Sequence, residues 1–210
     1  MKRIAIIGAS AGVGFLTVQQ ALQNGAIVVA LSRHLEALAD NTNLVKVPGS
    51  GTSVADVKRA VVNADAVIIA VGKGSSTKAT TLFTDVARTV LEALRELNAQ
   101  PPLVVLTGFG AGDSGAYQTF PMNLVFRFML KKVYENKTAM EKILTAGYEK
   151  WVIVRPGRLT DKSLTRKYRV FDQVTTGMKI GSISRADVAH YLVEQALNPS
   201  MLGHYVSLGK

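Results

Sequence analysis

Residues 3–15, RIAIIGASAGVGF, run from an apolar stretch into three glycines within seven positions. A strand can break this way at a plain turn. Glycines at Gly8, Gly12 and Gly14 also suit a main chain that must admit a phosphate at close range. The two readings differ in what should flank the glycines, so the rest of the chain decides between them.

Short apolar runs recur at Ile4–Ile7, Ile27–Leu31, Leu44–Val47, Ala66–Val71, Leu103–Leu106 and Trp151–Val154. Their nearly continuous Val and Ile content is what a parallel sheet covered on both faces requires. Between them, Phe15–Gln23, Val54–Val62, Leu82–Leu97 and Asn123–Leu144 repeat apolar residues at helical spacing, as does Ala186–Leu197 near the end. The alternation predicts an α/β fold, a Rossmann-like doubly wound parallel sheet. Ser53 and Ser184 stand where helix caps belong, Gly147 can close the long helix that starts around Pro121, and Pro199 follows the last helix. A final short strand, His204–Leu208, is expected at the sheet edge.

At 210 residues the chain is long enough for a three-layer core and is expected to form one domain over 1–210, with small substrate-side elements from about 157 to 210. No run reaches the roughly 18 apolar residues of a membrane span, and the opening apolar run is too short for a signal peptide. The absence of cysteine excludes disulfides and thiol chemistry and fits a cytoplasmic location. The net charge of +10 asks for anionic company. Part of it gathers at Arg127, Lys131, Lys132 and Lys137, and part at Arg158, Lys162, Arg166, Lys167 and Arg169, clusters that also suit a solvated face.

With a buried strand before Gly8 and a helix after Gly14, the glycines take on distinct tasks. Gly8 permits the tight turn, Gly12 lets the main chain approach a diphosphate, and Gly14 lets the helix pack on the strand. Gly8, Ser10, Ala11, Gly12, Val13 and Gly14 are therefore the candidate phosphate-binding residues of a dinucleotide site, with the helix N-terminus facing the phosphates. At the end of the second strand, Ser32 and Arg33 stand where a carboxylate would select NAD(H). A hydroxyl and a guanidinium there suit a 2′-phosphate, so NADP(H) is preferred over NAD(H). Ser50, Val71 and Gly72 fall where small residues flank adenosine, and Lys73 and Lys78 lie in a polar loop that could reach phosphates or simply face water.

Four segments, IIGASAGVG, NADAVIIAVG, VVLTGFGAGDS and KTAMEKILTAGYEKWVIVRPGRLTD, carry a resemblance over nearly the whole chain. They are similar to the atypical short-chain dehydrogenases/reductases of the NAD(P)H-binding, NmrA-like group, which includes flavin- and biliverdin-reductase-type and epimerase-like members. The resemblance implies Lys137, Arg155, Pro156 and Gly157 at the nicotinamide end, with Lys137 holding the nicotinamide ribose. This sequence also departs from the pattern. The Tyr-x-x-x-Lys interval counted back from Lys137 lands on Val133, and Tyr134 lies one residue later. The serine expected after the fifth strand is represented by Thr107 and Gly108, leaving Thr107, Tyr134 and Lys137 as the candidate catalytic set.

An incomplete relay disfavours carbonyl reduction, which needs a proton donor beside the developing alkoxide. Hydride transfer to a flavin or quinone spreads charge over a conjugated acceptor and tolerates solvent as the proton source. The expected function is an NADPH-dependent oxidoreductase; a non-catalytic NADP(H) sensor and a nucleotide-sugar epimerase-like enzyme are the alternatives. Phe109, Tyr117, Phe120 and Pro121 are expected to line the acceptor slot with Tyr134 and Arg158, and the glycines of residues 108–117 predict a mobile lid. The substrate is expected to be a small molecule, anionic or aromatic, because the basic stretch from Arg158 to Arg169 would draw in a phosphate ester or a carboxylated pigment.

His34, His190 and His204 lack the spacing for a metal site, and Asp113 with Ser114 has no accompanying histidine for hydrolysis. Neither nucleic acid nor membrane is an expected partner. The chain is expected to be a monomer or homodimer, with the apolar face of NLVFRFML, residues 123–130, either buried in the core or docking a second copy.

Overall fold

Successive side chains of β1 (Arg3–Ile7) leave the strand on opposite sides, so Ile4 and Ile6 enter one core layer while Ala5 and Ile7 enter the other. That double burial is why the run reads as continuously apolar. In the computed structural model, which describes residues 1–74, 76, 78–117, 130–175 and 178–210, β1 pairs in parallel with β2 (Ile27–Ser32) and β4 (Ala66–Ile69). Beyond them lie β3 (Leu44–Pro48) on one side and β5 (Leu103–Leu106) and β6 (Trp151–Pro156) on the other. With β8 (Arg169–Phe171) and β10 (His204–Gly209), the strand order among the described residues is β3-β2-β1-β4-β5-β6-β10-β8, a doubly wound, mostly parallel α/β sheet of Rossmann type.

Helix α1 (Gly12–Gln23) packs with α5 (Arg185–Leu197) on one face. Helices α2 (Val54–Val61), α3 (Leu82–Glu96) and α4 (Lys131–Gly147) cover the other. Both expected caps are present: Ser53 Oγ accepts from the Asp56 amide at 3.4 Å and Ser184 Oγ from the Asp187 amide at 2.9 Å. Gly147 is the last residue of α4, as expected. The predicted start of that helix, from Pro121 to residue 129, lies outside the described residues.

Three expectations change. Helix α1 begins at Gly12 rather than Phe15, so two of the glycines form its first turn. Strand β4 stops at Ile69 instead of Val71, and the backbone of Ala70 and Val71 lies close against Gly8. The strand expected at the edge, β10 (His204–Gly209), is interior: it pairs in parallel with β6, and β8 (Arg169–Phe171) covers its other side antiparallel. Strand β8 is three residues long, too short to show any alternation. The same is true of β7 (Arg158–Thr160) and β9 (Ser182–Ser184), which form a separate parallel pair. Among the described residues, no helix is long and apolar enough to cross a membrane.

Candidate functional site

The chain winds outward from β1 to β3, then crosses back to β4 and winds the other way. Strand ends on the two sides of such a crossing diverge and leave a crevice. Here it is a cleft of about 1020 Å³ above the carboxyl ends of β1, β4 and β5.

One bank is formed by Gly8, Ser10, Ala11, Gly12 and Val13. Gly8 has φ +93°, and a Cβ there would sit 2.8 Å from the Ala70 carbonyl carbon, so only glycine fits. A Cβ on Gly14 would collide with the Gly8 carbonyl oxygen; this glycine serves the close packing of α1 on β1 and does not line the cleft. Gly12, with φ +57°, opens instead onto space. The N-cap residue of helix α1, Ala11, offers no side-chain cap, and the first turn has no acidic residue. Its first amides are therefore left for an external anion.

At one end of the cleft stand Ser32, the exposed Arg33, and Ser50. The Asp56 carboxylate accepts from the Ser50 amide at 2.9 Å, which fixes that turn, and this bond together with Arg59 holds the carboxyl below the usual range. Val71 and Gly72 line the middle, as does Lys73.

At the opposite end, Lys137 Nζ donates to the Thr107 carbonyl at 2.7 Å and lies 5.0 Å from the Tyr134 ring centre and 5.4 Å from that of Phe83. Burial lowers its pKa to about 8 against the opposing charge of Glu141. Burial pushes the Tyr134 hydroxyl up to about 12. That hydroxyl rests against Gly108, where a Cβ would stand 2.8 Å from it. The Thr107 side chain lies deeper: its buried hydroxyl donates to Glu141 Oε1 at 2.6 Å.

The structure thus brings together Thr107, Tyr134 and Lys137 with every expected cofactor-binding residue except Gly14 and Pro156. Pro156 is buried in β6, and its carbonyl accepts from the Phe109 amide at 2.9 Å. Arg155, implied at the nicotinamide end, instead runs into the core. It forms a two-bonded ion pair with Glu141 at 2.7 and 3.1 Å, reaches Asp113 at 2.5 Å, and covers the Tyr205 ring.

Phe109, Tyr117 and Arg158 do not line the cleft, and Phe120 and Pro121 lie outside the described residues. Residues 108–114, part of the expected mobile lid, make hydrogen bonds among themselves and to α4. The Gly112 amide donates to Thr138 Oγ1 at 2.8 Å, and Ser114 Oγ accepts from the Gly110 amide at 2.9 Å. Sequence reasoning also passed over Phe83, Leu130, Val133, Leu159 and Arg185, which are among the other residues lining the cleft. Val133 was within reach, being one turn before Lys137; Arg185 carried no local signal.

Residues 8–199 match the model of the NAD(P)H-binding family. The chain belongs to that family. Among solved structures, the anaerobilin reductase ChuY from Escherichia coli O157:H7 is 25% identical, with a TM-score of 0.80 over 99% of this chain and 97% of that one. A wide-type short-chain dehydrogenase/reductase from Veillonella parvula in complex with NADP shares the fold at 16% identity (TM-score 0.81; 100% and 94% of the two chains). The oxidoreductase YlbE from Lactococcus lactis does so at 18% (TM-score 0.80; 100% and 91%). The uncapped amides of α1 and the open side of Gly12 fit the diphosphate that a member of the NAD(P)H-binding family must hold.

Proposed function

We propose that this protein binds NADPH in preference to NADH and reduces a conjugated small-molecule acceptor. The observation that carries the reading is the make-up of the reaction end. Phe83, Leu130 and Val133 wall it with apolar surface, and Tyr134 and Lys137 add a hydroxyl and an amine. NADPH, when bound, supplies the hydride. Ser10 to Val13 and the first amides of α1 hold the diphosphate, and Ser32 and Arg33 receive the 2′-phosphate. Lys137 holds the nicotinamide ribose. Tyr134, protonated at every physiological pH, gives the proton.

Thr107 is a positioning residue in this scheme, because its hydroxyl proton belongs to Glu141 while its carbonyl fixes Lys137. A flat acceptor suits such a slot, since delocalisation lessens the need for a full relay. That ChuY is an anaerobilin reductase supports an acceptor of this kind.

The test is a panel of flavins, quinones and linear tetrapyrroles, each offered with NADPH and with NADH. Steady NADPH consumption with at least one acceptor is expected. Tight nucleotide binding without turnover on any of them would shift the reading to a redox sensor. Arg33→Asp should weaken NADPH about tenfold or more while sparing NADH; equal loss of both would remove Arg33 from the 2′-phosphate.

A further inference from the structure

The open side of Gly12 faces a residue from far along the chain. A Cβ on Gly12 would point at Arg185 Nε, 4.0 Å away, and among the described residues it would meet nothing else beyond its own neighbours. Arg185 is the first residue of α5 and lines the same cleft.

Its backbone is held in place. Ser184 caps the helix, and the buried Asp187 carboxylate accepts from the amides of Thr165 and Arg166, each at 2.8 Å, and from Thr165 Oγ1 at 3.0 Å. The guanidinium itself is held lightly: Nη1 donates to Asp161 Oδ1 at 2.6 Å, and the Asp161 side chain is 89% exposed. A pair with one member in water contributes little, and it uses one of five N–H donors.

We infer that Arg185 is the second wall of an anion site. The bound diphosphate lies between the first amides of α1 and this guanidinium, and Asp161 is the counterion that Arg185 keeps in the free protein. The inference rests on the NADPH reading above and adds a residue to it. A carboxylate on the acceptor has the same chemistry. The position beside Gly12, where the main chain opens, assigns Arg185 to the diphosphate.

The two partners then have opposite effects, which a purely structural ion pair would not produce. In fluorescence titrations with NADPH and no acceptor, Arg185→Met weakens binding about tenfold, the loss expected for one charge-assisted contact. Arg185→Lys recovers part of that loss. Asp161→Asn, by freeing the guanidinium, tightens binding about twofold to threefold.

Unchanged NADPH affinity in both variants, with lowered melting temperatures, would overturn the inference. So would an Arg185→Met defect confined to the KM of an acidic acceptor. A wild-type protein that binds no NADPH would remove the functional reading itself, an outcome separable from variants that bind as well as wild type.

Discussion

Lys137 is held between two opposing influences, burial that favours the neutral amine and the nearby Glu141 carboxylate that favours the ammonium. With its pKa at about 8, the ammonium fades as pH rises through that value, while Tyr134 keeps its proton. The rate of NADPH oxidation should therefore fall above about pH 8, and Lys137→Met should lower the rate and remove that limb. The stability sign is opposite. A lysine whose folded pKa lies below its ordinary 10.5 costs stability while charged, and the cost is relieved as pH climbs from about 8 to 10.5. Lys137→Met should melt at a higher temperature than wild type at neutral pH, and a lower one would contradict the burial argument.

Gly108 constrains the same pair of side chains. A Cβ there would press on the Tyr134 hydroxyl and stand 3.5 Å from Lys137 Nζ. Gly108→Ala should reduce kcat about tenfold or more, with a smaller change in NADPH affinity. The glycines were legible because backbone geometry leaves a mark in residue type. The direction of Arg155 was not, although Ile153 two residues earlier faces the α4 side of the sheet and Glu141 lies on α4.

Among the elements, α5 depends on the Asp187 carboxylate for its start and for the 165–166 turn bound to it. Burial raises this carboxyl, but bonds from Thr165, Ser184 and Arg166 outweigh it, and the net shift is downward. Its contribution is thus present above the ordinary value of 3.8 and lost as pH falls through the lower folded value. Asp187→Ala should destabilise the protein by about 3 kcal/mol at neutral pH. Denaturant melts should show the gap to wild type narrowing in acid; a constant gap would mean that the charge is not what matters.

The helices and long strands were legible because each repeats its apolar period over several turns or residues. The strands β7, β8 and β9 were not, since three residues cannot display a period and tertiary contacts alone define them. The bonds made by the loop after β5 were not legible for a related reason. Its glycines announce conformational freedom, while its hydrogen-bond partners Thr138 and Arg155 come from later elements.

For the molecule as a whole, ligand and stability are linked. Nucleotide at roughly 100 times its Kd should add about 2.7 kcal/mol to the folded state. In a chain of this size that corresponds to a rise of about 5–10 °C in melting temperature. NADPH should give the larger rise at equal concentration, and equal shifts with NADH would remove the preference. The parallel, doubly wound order was legible from the alternation of elements. The interior place of β10 was not, because strand order across a sheet is settled by which edges remain to be covered.

That interior place bears on how the protein is made. A ribosome releases residues 204–209 after every other element of the sheet. Until then β6 presents a bare row of amides and carbonyls to its surroundings, with nothing of its own chain to pair them. The nascent polypeptide thus crosses a vulnerable interval in which a neighbour's strand can dock in place of its own. Trimming the six residues of β10 would make that interval permanent.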